Sequence, residues 1–205
     1  MIFACIDTET TGLLSDPDAH VIEVAVVLYD SDSDSVVDSF DTCVNPPKLT
    51  VEGLAIAAKV SGLTECQIRG GLPVEVAWAK VARIVGSHPV TAWNVDFDRR
   101  FCRRTFLGFE ETEKLTLVDT TQWSECACER FTDLFQAVAG TRVDKETGEV
   151  QARYISLARA AWLTGYEWEG DAHRALADAT MAAKIYAGML NGKVQGPPLG
   201  VERAS

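Results

Sequence analysis

No stretch of this sequence approaches the roughly 18 consecutive apolar residues that a membrane-spanning helix needs, and Met1 leads directly into a short apolar segment rather than a basic leader. A membrane span and secretion are therefore not expected, and the chain reads as cytoplasmic. The six cysteines (Cys5, Cys43, Cys66, Cys102, Cys126 and Cys128) show no paired CxxC spacing, so neither a zinc site nor a dithiol redox motif is indicated. Reduced thiols are expected, and no internal repeat is visible. Positive charge is scarce as well: 19 Lys and Arg stand against 30 Asp and Glu, a net charge of −11. That balance excludes a broad basic face of the kind that coats long anionic polymers.

What is present suits one globular domain. The chain has 205 residues, 47% hydrophobic and 24% charged, ordinary values for a single core. Residues 2–6 form an apolar run that stops at Asp7 and reads as a buried strand. Residues 21–30 and 35–44 flank the polar tract Ser31-Asp32-Ser33-Asp34 and read as a hairpin. Val74 to Val85 has apolar residues at helical spacing, Pro89 to Trp93 is a short strand, and Leu115 to Val118 is another, ending at Asp119. Helices are expected over 128–139, 154–164 and the alanine-rich 174–190. Residues 143–150 read as an exposed loop or small hairpin, and a domain over 1–190 is followed by a frayed tail, 191–205. Strands first and alternating helices later predict an α/β or α+β domain whose mixed sheet is covered by helices, with functional groups at strand ends.

Three separated segments carry acidic groups. Asp7-Thr8-Glu9 spaces two carboxylates by two, which in an extended chain sends both to one face. Like charges held that close raise each other's pKa unless a cation lies between them, so a divalent metal is the natural partner. Alone, the tripeptide is better explained as a solvated strand end. The second segment runs from Trp93 to Phe101 across a strand-to-helix junction. With the helix starting near Asp96, Phe97 and Phe101 face the core and Asp98 projects from another side. In isolation, an N-cap at Asp96 and a dipole-favoured Asp98 account for the pair better. In the third, His173 precedes Asp178 by five positions. One continuous helix would hold them about 140° apart, so they converge only if His173 lies in the loop before it. A surface histidine and a solvated aspartate are the alternative.

Together DTETTG (7–12), NVDFD (94–98) and HRALAD (173–178) resemble, in order and spacing, the three motifs of the DnaQ-like DEDDh exonuclease superfamily. IEVAVV at 22–27, GLT at 62–64 and DT at 119–120 are similar to flanking family segments. The resemblance implies an RNase H-like α/β fold, a central mixed five-stranded sheet flanked by helices. It implies that Asp7, Glu9, Asp98 and Asp178 bind two Mg²⁺ or Mn²⁺ ions, a set whose charges sum to zero. The implied activity is two-metal hydrolysis at the 3′ end of single-stranded or frayed DNA, releasing nucleoside 5′-monophosphates. His173 is then the base, since imidazole's ordinary pKa of about 6.5 suits proton removal from water at neutral pH. By the same resemblance Glu9, Thr10 and Thr11 contact the terminal nucleotide, Leu13 packs against its base, and Asn94 is a further contact. The acidic balance then predicts weak, distributive binding.

RNA ends are the alternative substrate, although DTETTG is more typical of DNA-processing members. A silent nucleic-acid-binding subunit, tethered to a polymerase through the tail, is a third reading, but this chain keeps all four carboxylates and the histidine. A homodimer is compatible with the resemblance. The sequence departs from the family at Trp93 and Ser61, where histidine is common, and residues 141–153 look like an insertion that shapes substrate access. Arg99, Arg100, Arg103 and Arg104 form a basic patch that either holds phosphates or is a solvated face. The five tryptophans read as core or rim.

Overall fold

A computed structural model describes residues 1–107, 122–144, 148–168, 170 and 173–197. The opening apolar run becomes β1 (Ile2–Thr10), which continues past the expected stop at Asp7. It does so because antiparallel pairing with β2 (Val21–Asp30) runs from Ile2↔Asp30 to Thr10↔Val21, with a register shift after Glu9. A polar side chain does not end a strand whose backbone ladder is still satisfied. β2 and β3 (Ser35–Asn45) form the expected hairpin. β4 (Leu72–Pro73) pairs parallel with β3, and β5 (Val90–Thr91) pairs parallel with β1. The sheet is therefore mixed and five-stranded, in the order β4-β3-β2-β1-β5. Its membership differs from expectation: β4 is a two-residue strand, and the strand expected at 115–118 lies outside the described residues.

Alternation along the strands sorts the helices into two layers. Phe3 and Cys5, with Ala25 and Val27, face α8 (Ala175–Leu190) and α5 (Ala127–Leu134). Ala4 and Ile6, with Val24 and Val26, face α3 (Val74–Val85) and α4 (Val95–Cys102). α8 lies close on the sheet because Ala175, Ala179, Ala182, Ala183 and Ala187 are fully buried and alanine adds no bulk while favouring helix. Phe101 anchors α4, fully buried, a contribution of about 2 kcal/mol.

Two helices have no counterpart in the sequence reading. α1 (Val51–Val60) is capped by Thr50, and α2 (Glu65–Arg69) carries a reciprocal capping box between Thr64 and Gln67. The expected helix over 128–139 is α5 followed by a short α6 (Gln136–Ala139), broken at Phe135. α7 (Leu157–Thr164) starts later than expected because Ser156 caps it. The insertion is a hairpin of β6 (Thr141–Val143) and β7 (Val150–Ala152).

The start of the expected tail is docked. Val194 is buried, its N–H donates to Gly188 O at 2.8 Å, and Lys193 pairs with Asp34 at 2.7 Å. Hydrophobic contact thus carries the packed domain at least to Val194. Among the described residues no helix is long and apolar enough to cross a membrane, and all six cysteines are free. Trp78 and Trp93 are core residues; Trp162 is 74% exposed, unlike the others.

Candidate active site

The site grows from the alternation of β1. Asp7 and Glu9 share the face of Phe3 and Cys5, toward α8, whereas Thr8 points to the α4 layer. There its hydroxyl donates to Asp98 Oδ1 at 2.8 Å, a buried hydrogen bond. One tripeptide therefore addresses both layers, and Asp98 is brought to the strand end by the residue between the two acids. α4 begins one position earlier than expected: Asn94, not Asp96, is the N-cap, its side-chain oxygen accepting the Phe97 N–H at 3.4 Å. Phe97 and Phe101 pack with ring centroids 4.7 Å apart, leaving Asp98 on another side as the spacing predicts. Asp96 is exposed and pairs with Arg100 at 3.5 Å.

His173 lies in the segment before α8, with φ 64, a left-handed conformation that costs energy for a residue with a Cβ. Its backbone N–H donates to Asp178 Oδ1 at 3.2 Å. A ring nitrogen of His173 and one carboxylate oxygen each from Glu9 and Asp178 lie within 4.8 Å of one another. Asp7 and Asp98 are not part of that group of three; they adjoin it electrostatically. Burial, then the charges of Asp98, Asp178 and Glu9, holds Asp7 well above the usual carboxylate range. Burial and the charges of Asp178, Glu23 and Asp98 push Glu9 up to about 8. Burial takes Asp98 to about 7 against the opposing hydrogen bonds from Thr8. Asp178 is raised by burial, tempered by the His173 N–H. Such a set holds protons near neutral pH unless another positive charge replaces them. Hard oxygen donors with one imidazole fit a hard divalent cation.

Two residues that the sequence reading passed over support this cluster. Glu23 stands opposite Glu9 in the β1–β2 register and is 1% exposed. It accepts from Arg174 Nη2 at 2.5 Å and Nε at 3.1 Å, and from the Ala175 N–H at 3.1 Å. Arg174 is the N-cap of α8 but offers no side-chain cap, so Glu23 supplies the anion that the helix start favours. A lone acidic residue inside the apolar run of 21–28 was the available signal, because Glu is almost never fully buried unless paired.

The remaining expected contacts divide. Leu13 is 70% exposed, and Asn94 is exposed beside Asp98. Thr10 is partly buried, its hydroxyl donating to Gly12 O at 2.8 Å. Thr11, the other expected contact, is tied into the loop. It is buried, its hydroxyl accepts the His20 N–H at 2.9 Å, and its own N–H donates to His20 O at 3.0 Å. Both polar groups are thus spent on bracing the loop between β1 and β2. α1 packs against that brace through Gly53, where a Cβ would lie 2.9 Å from Thr11 Cβ. Arg104 closes the same loop, donating to Asp16 O at 2.6 Å and Leu14 O at 2.9 Å, so it leaves the proposed phosphate patch. Trp93 donates its indole N–H to Ile155 O at 3.1 Å, and Ser61 caps α1 through Ala57 O at 3.0 Å; both family departures are structural pins.

Solved structures share this fold. A 3′-exonuclease described with 3′-end recognition of a histone mRNA stem-loop aligns over 93% of this chain and 64% of its own, with TM-score 0.65 and 16% identity. E. coli exonuclease I in complex with a dA16 oligonucleotide aligns over 94% of this chain and 42% of its own, with TM-score 0.63 and 19% identity. The nuclease domain of 3′hExo, a DEDDh family member bound to rAMP, aligns over 93% and 92%, with TM-score 0.59 and 16% identity. This chain spans 64% of the length of the first two structures it matches. No curated protein sequence matches it. At these identities the structures establish the fold. The RNase_T exonuclease model matches residues 4–186, most of the chain, and the protein therefore belongs to that family of DEDDh-type, hydrolytic exonucleases.

Proposed function

We propose that this chain removes nucleotides one at a time from the 3′ end of single-stranded or frayed DNA, releasing nucleoside 5′-monophosphates. The observation that carries this reading is the convergence of Glu9, His173 and Asp178 within 4.8 Å, beside two further enclosed carboxyls, in an exonuclease-family chain. Asp7, Glu9, Asp98 and Asp178 would hold two divalent ions, Mg²⁺ or Mn²⁺. When bound, the ions supply Lewis acidity, which makes the attacking water more acidic and offsets charge on the leaving 3′ oxygen. The water oxygen forms the new bond to phosphorus as the bond to the 3′ oxygen breaks, and that oxygen takes a proton from solvent. His173, exposed and ahead of α8, accepts the proton that the water loses. Its backbone N–H is held by Asp178, and the next residue, Arg174, is held by Glu23. Leu13 packs on the terminal base, with Asn94 and Thr10 beside the sugar; Thr11 acts through the loop it braces.

RNA ends are the second reading, favoured by the neighbour bound to rAMP, where the exonuclease I complex favours DNA. A time course on matched DNA and RNA oligonucleotides, labelled at either end, tests both. Stepwise shortening of the 5′-labelled strand with Mg²⁺ or Mn²⁺, at least a hundredfold slower in His173→Ala, is expected. Release of a labelled 5′ nucleotide first, or full activity in His173→Ala, contradicts the proposal.

A further inference from the structure

Two clefts adjoin on the α5–α7 side of the molecule. The first, about 590 Å³, is lined by Asn94, Asp96, Glu129, Tyr154 and Ser156 among others. The second, about 440 Å³, is lined by Gly140, Thr141, Arg153, Tyr154, Ser156 and Arg159 among others. Tyr154 and Ser156 line both, so the clefts form one trough. It starts at the N-cap of α4, the helix that carries Asp98, and ends at the base of the β6–β7 hairpin. The Trp93 indole and the Cys128 thiol both donate to Ile155 O, at 3.1 and 3.3 Å, which fixes the middle of the trough to the end of β5.

Charge changes along this path. The end near Asn94 is acidic, with Asp96 paired to Arg100 and Glu129 accepting from the Tyr154 hydroxyl at 3.2 Å. The far end is basic. Arg153 and Arg159 line it, and the Arg142 guanidinium lies 4.5 Å from the centre of the Tyr154 ring. Among the described residues none of these three arginines has a carboxylate partner. The acidic Asp144 and Glu149 lie beyond the Val143↔Val150 pair, toward the other end of the hairpin. Arginines with no carboxylate partner among the described residues, beside a half-exposed aromatic ring in a chain of net charge −11, suit an anionic, ring-bearing ligand.

We propose that this trough binds the upstream part of a single nucleic-acid strand whose 3′ end lies at the acidic cluster. Arg153 and Arg159 take backbone phosphates, and the stacked Tyr154–Arg142 pair supports a base. Sugars and base edges, rather than phosphates, pass Asp96 and Glu129. The inference rests on the exonuclease reading for its direction, and it gives Arg142 and Arg153 of the insertion the role of gripping nucleotides beyond the acidic cluster.

The test is affinity as a function of strand length, by fluorescence anisotropy on the full chain in Ca²⁺, with thymidine oligonucleotides of two and twelve nucleotides. Tighter binding of the longer strand is expected, and Arg153→Glu with Arg159→Glu should cut that gain about tenfold. The dependence of log Kd on log salt should flatten by about 1.4, two phosphate contacts on a single strand. Arg153→Lys with Arg159→Lys should keep most of the gain. Arg159 also donates to Val138 O at 2.6 Å; if the double reversal unfolds the chain, Arg153→Gln alone should flatten the slope by about 0.7. A length gain and salt slope equal to those of the unaltered protein overturn the inference. Mononucleotide release from the twelve-mer by the unaltered protein is scored in parallel. Its absence sinks the exonuclease reading, whereas normal release with an unchanged length gain sinks only the trough.

Discussion

Glu23 and Arg174, 151 residues apart in sequence, meet at 2.5 Å across the seam between β2 and the start of α8. The same carboxylate caps α8 through the Ala175 N–H, so the residue after the strained His173 is tied to the strand beside Glu9. Breaking a buried pair leaves an uncompensated charge, at about 3–5 kcal/mol; the guanidinium is partly exposed, which brings the cost toward the lower figure. Glu23→Gln should lower kcat at least tenfold with KM little changed, and should shift the imidazole resonances of His173 in NMR spectra. Arg174→Lys should retain part of the activity. A lower melting temperature with unaltered kcat and unaltered His173 resonances would reduce the pair to a structural role.

Protons held by the cluster make the metal-free protein sensitive to pH in a defined direction. Glu9 moves from 4.5 to about 8 and Asp98 from 3.8 to about 7. A carboxyl whose folded pKa is raised stabilises the fold below its unfolded pKa and loses that contribution as pH rises through the folded one. The melting temperature in EDTA should therefore fall between about pH 4.5 and 8, and Mn²⁺ should restore more of it at pH 8 than at pH 5. Carboxyls with lowered values, such as Asp30 and Asp34, act below this window. A flat profile in EDTA would contradict the crowding of charge inferred here.

Removing one acid should separate stability from activity. Asp7→Asn removes a carboxyl whose ionisation burial and the charges of Asp98, Asp178 and Glu9 all oppose. Its metal-free form should melt a few degrees higher at pH 8, while nucleotide release falls about a thousandfold or more, as at sites that trade stability for function. Equal melting temperatures with and without Asp7, measured by calorimetry in EDTA, would count against this.

Thr8→Val tests the link between the layers. It removes the donor to Asp98 at nearly constant volume, and a hydrogen bond to a charged group contributes about 1.5–3 kcal/mol. Metal affinity should weaken about tenfold to a hundredfold, the range for an outer-shell partner. Unchanged Mn²⁺ affinity would show that Asp98 is positioned by α4 alone.

Much of this was legible in the sequence because the carrying signals are local. Strand alternation put Asp7 and Glu9 on one face, and the five-residue step from His173 to Asp178 required the histidine to precede the helix. What escaped depends on contacts between distant segments. β1 runs on to Thr10 because β2 pairs with it. Thr11 faces inward because the loop to His20 folds back, and Arg104 is consumed by that loop's carbonyls. Glu23 lies inside an apolar strand, and the partner that allows its burial, Arg174, is 151 residues away. α1 and α2 also escaped, although Thr50 and the Thr64–Gln67 box are local capping signals.

The most direct measurement is a Mn²⁺ titration of the full chain by calorimetry at pH 7.5 in two buffers of different ionisation enthalpy, which reads ion number and proton release together. Two ions per chain, protons released on binding, and loss of at least one ion in Asp178→Asn are the predicted results. No saturable Mn²⁺ binding, or an Asp178→Asn titration that matches the unaltered protein, would contradict the account.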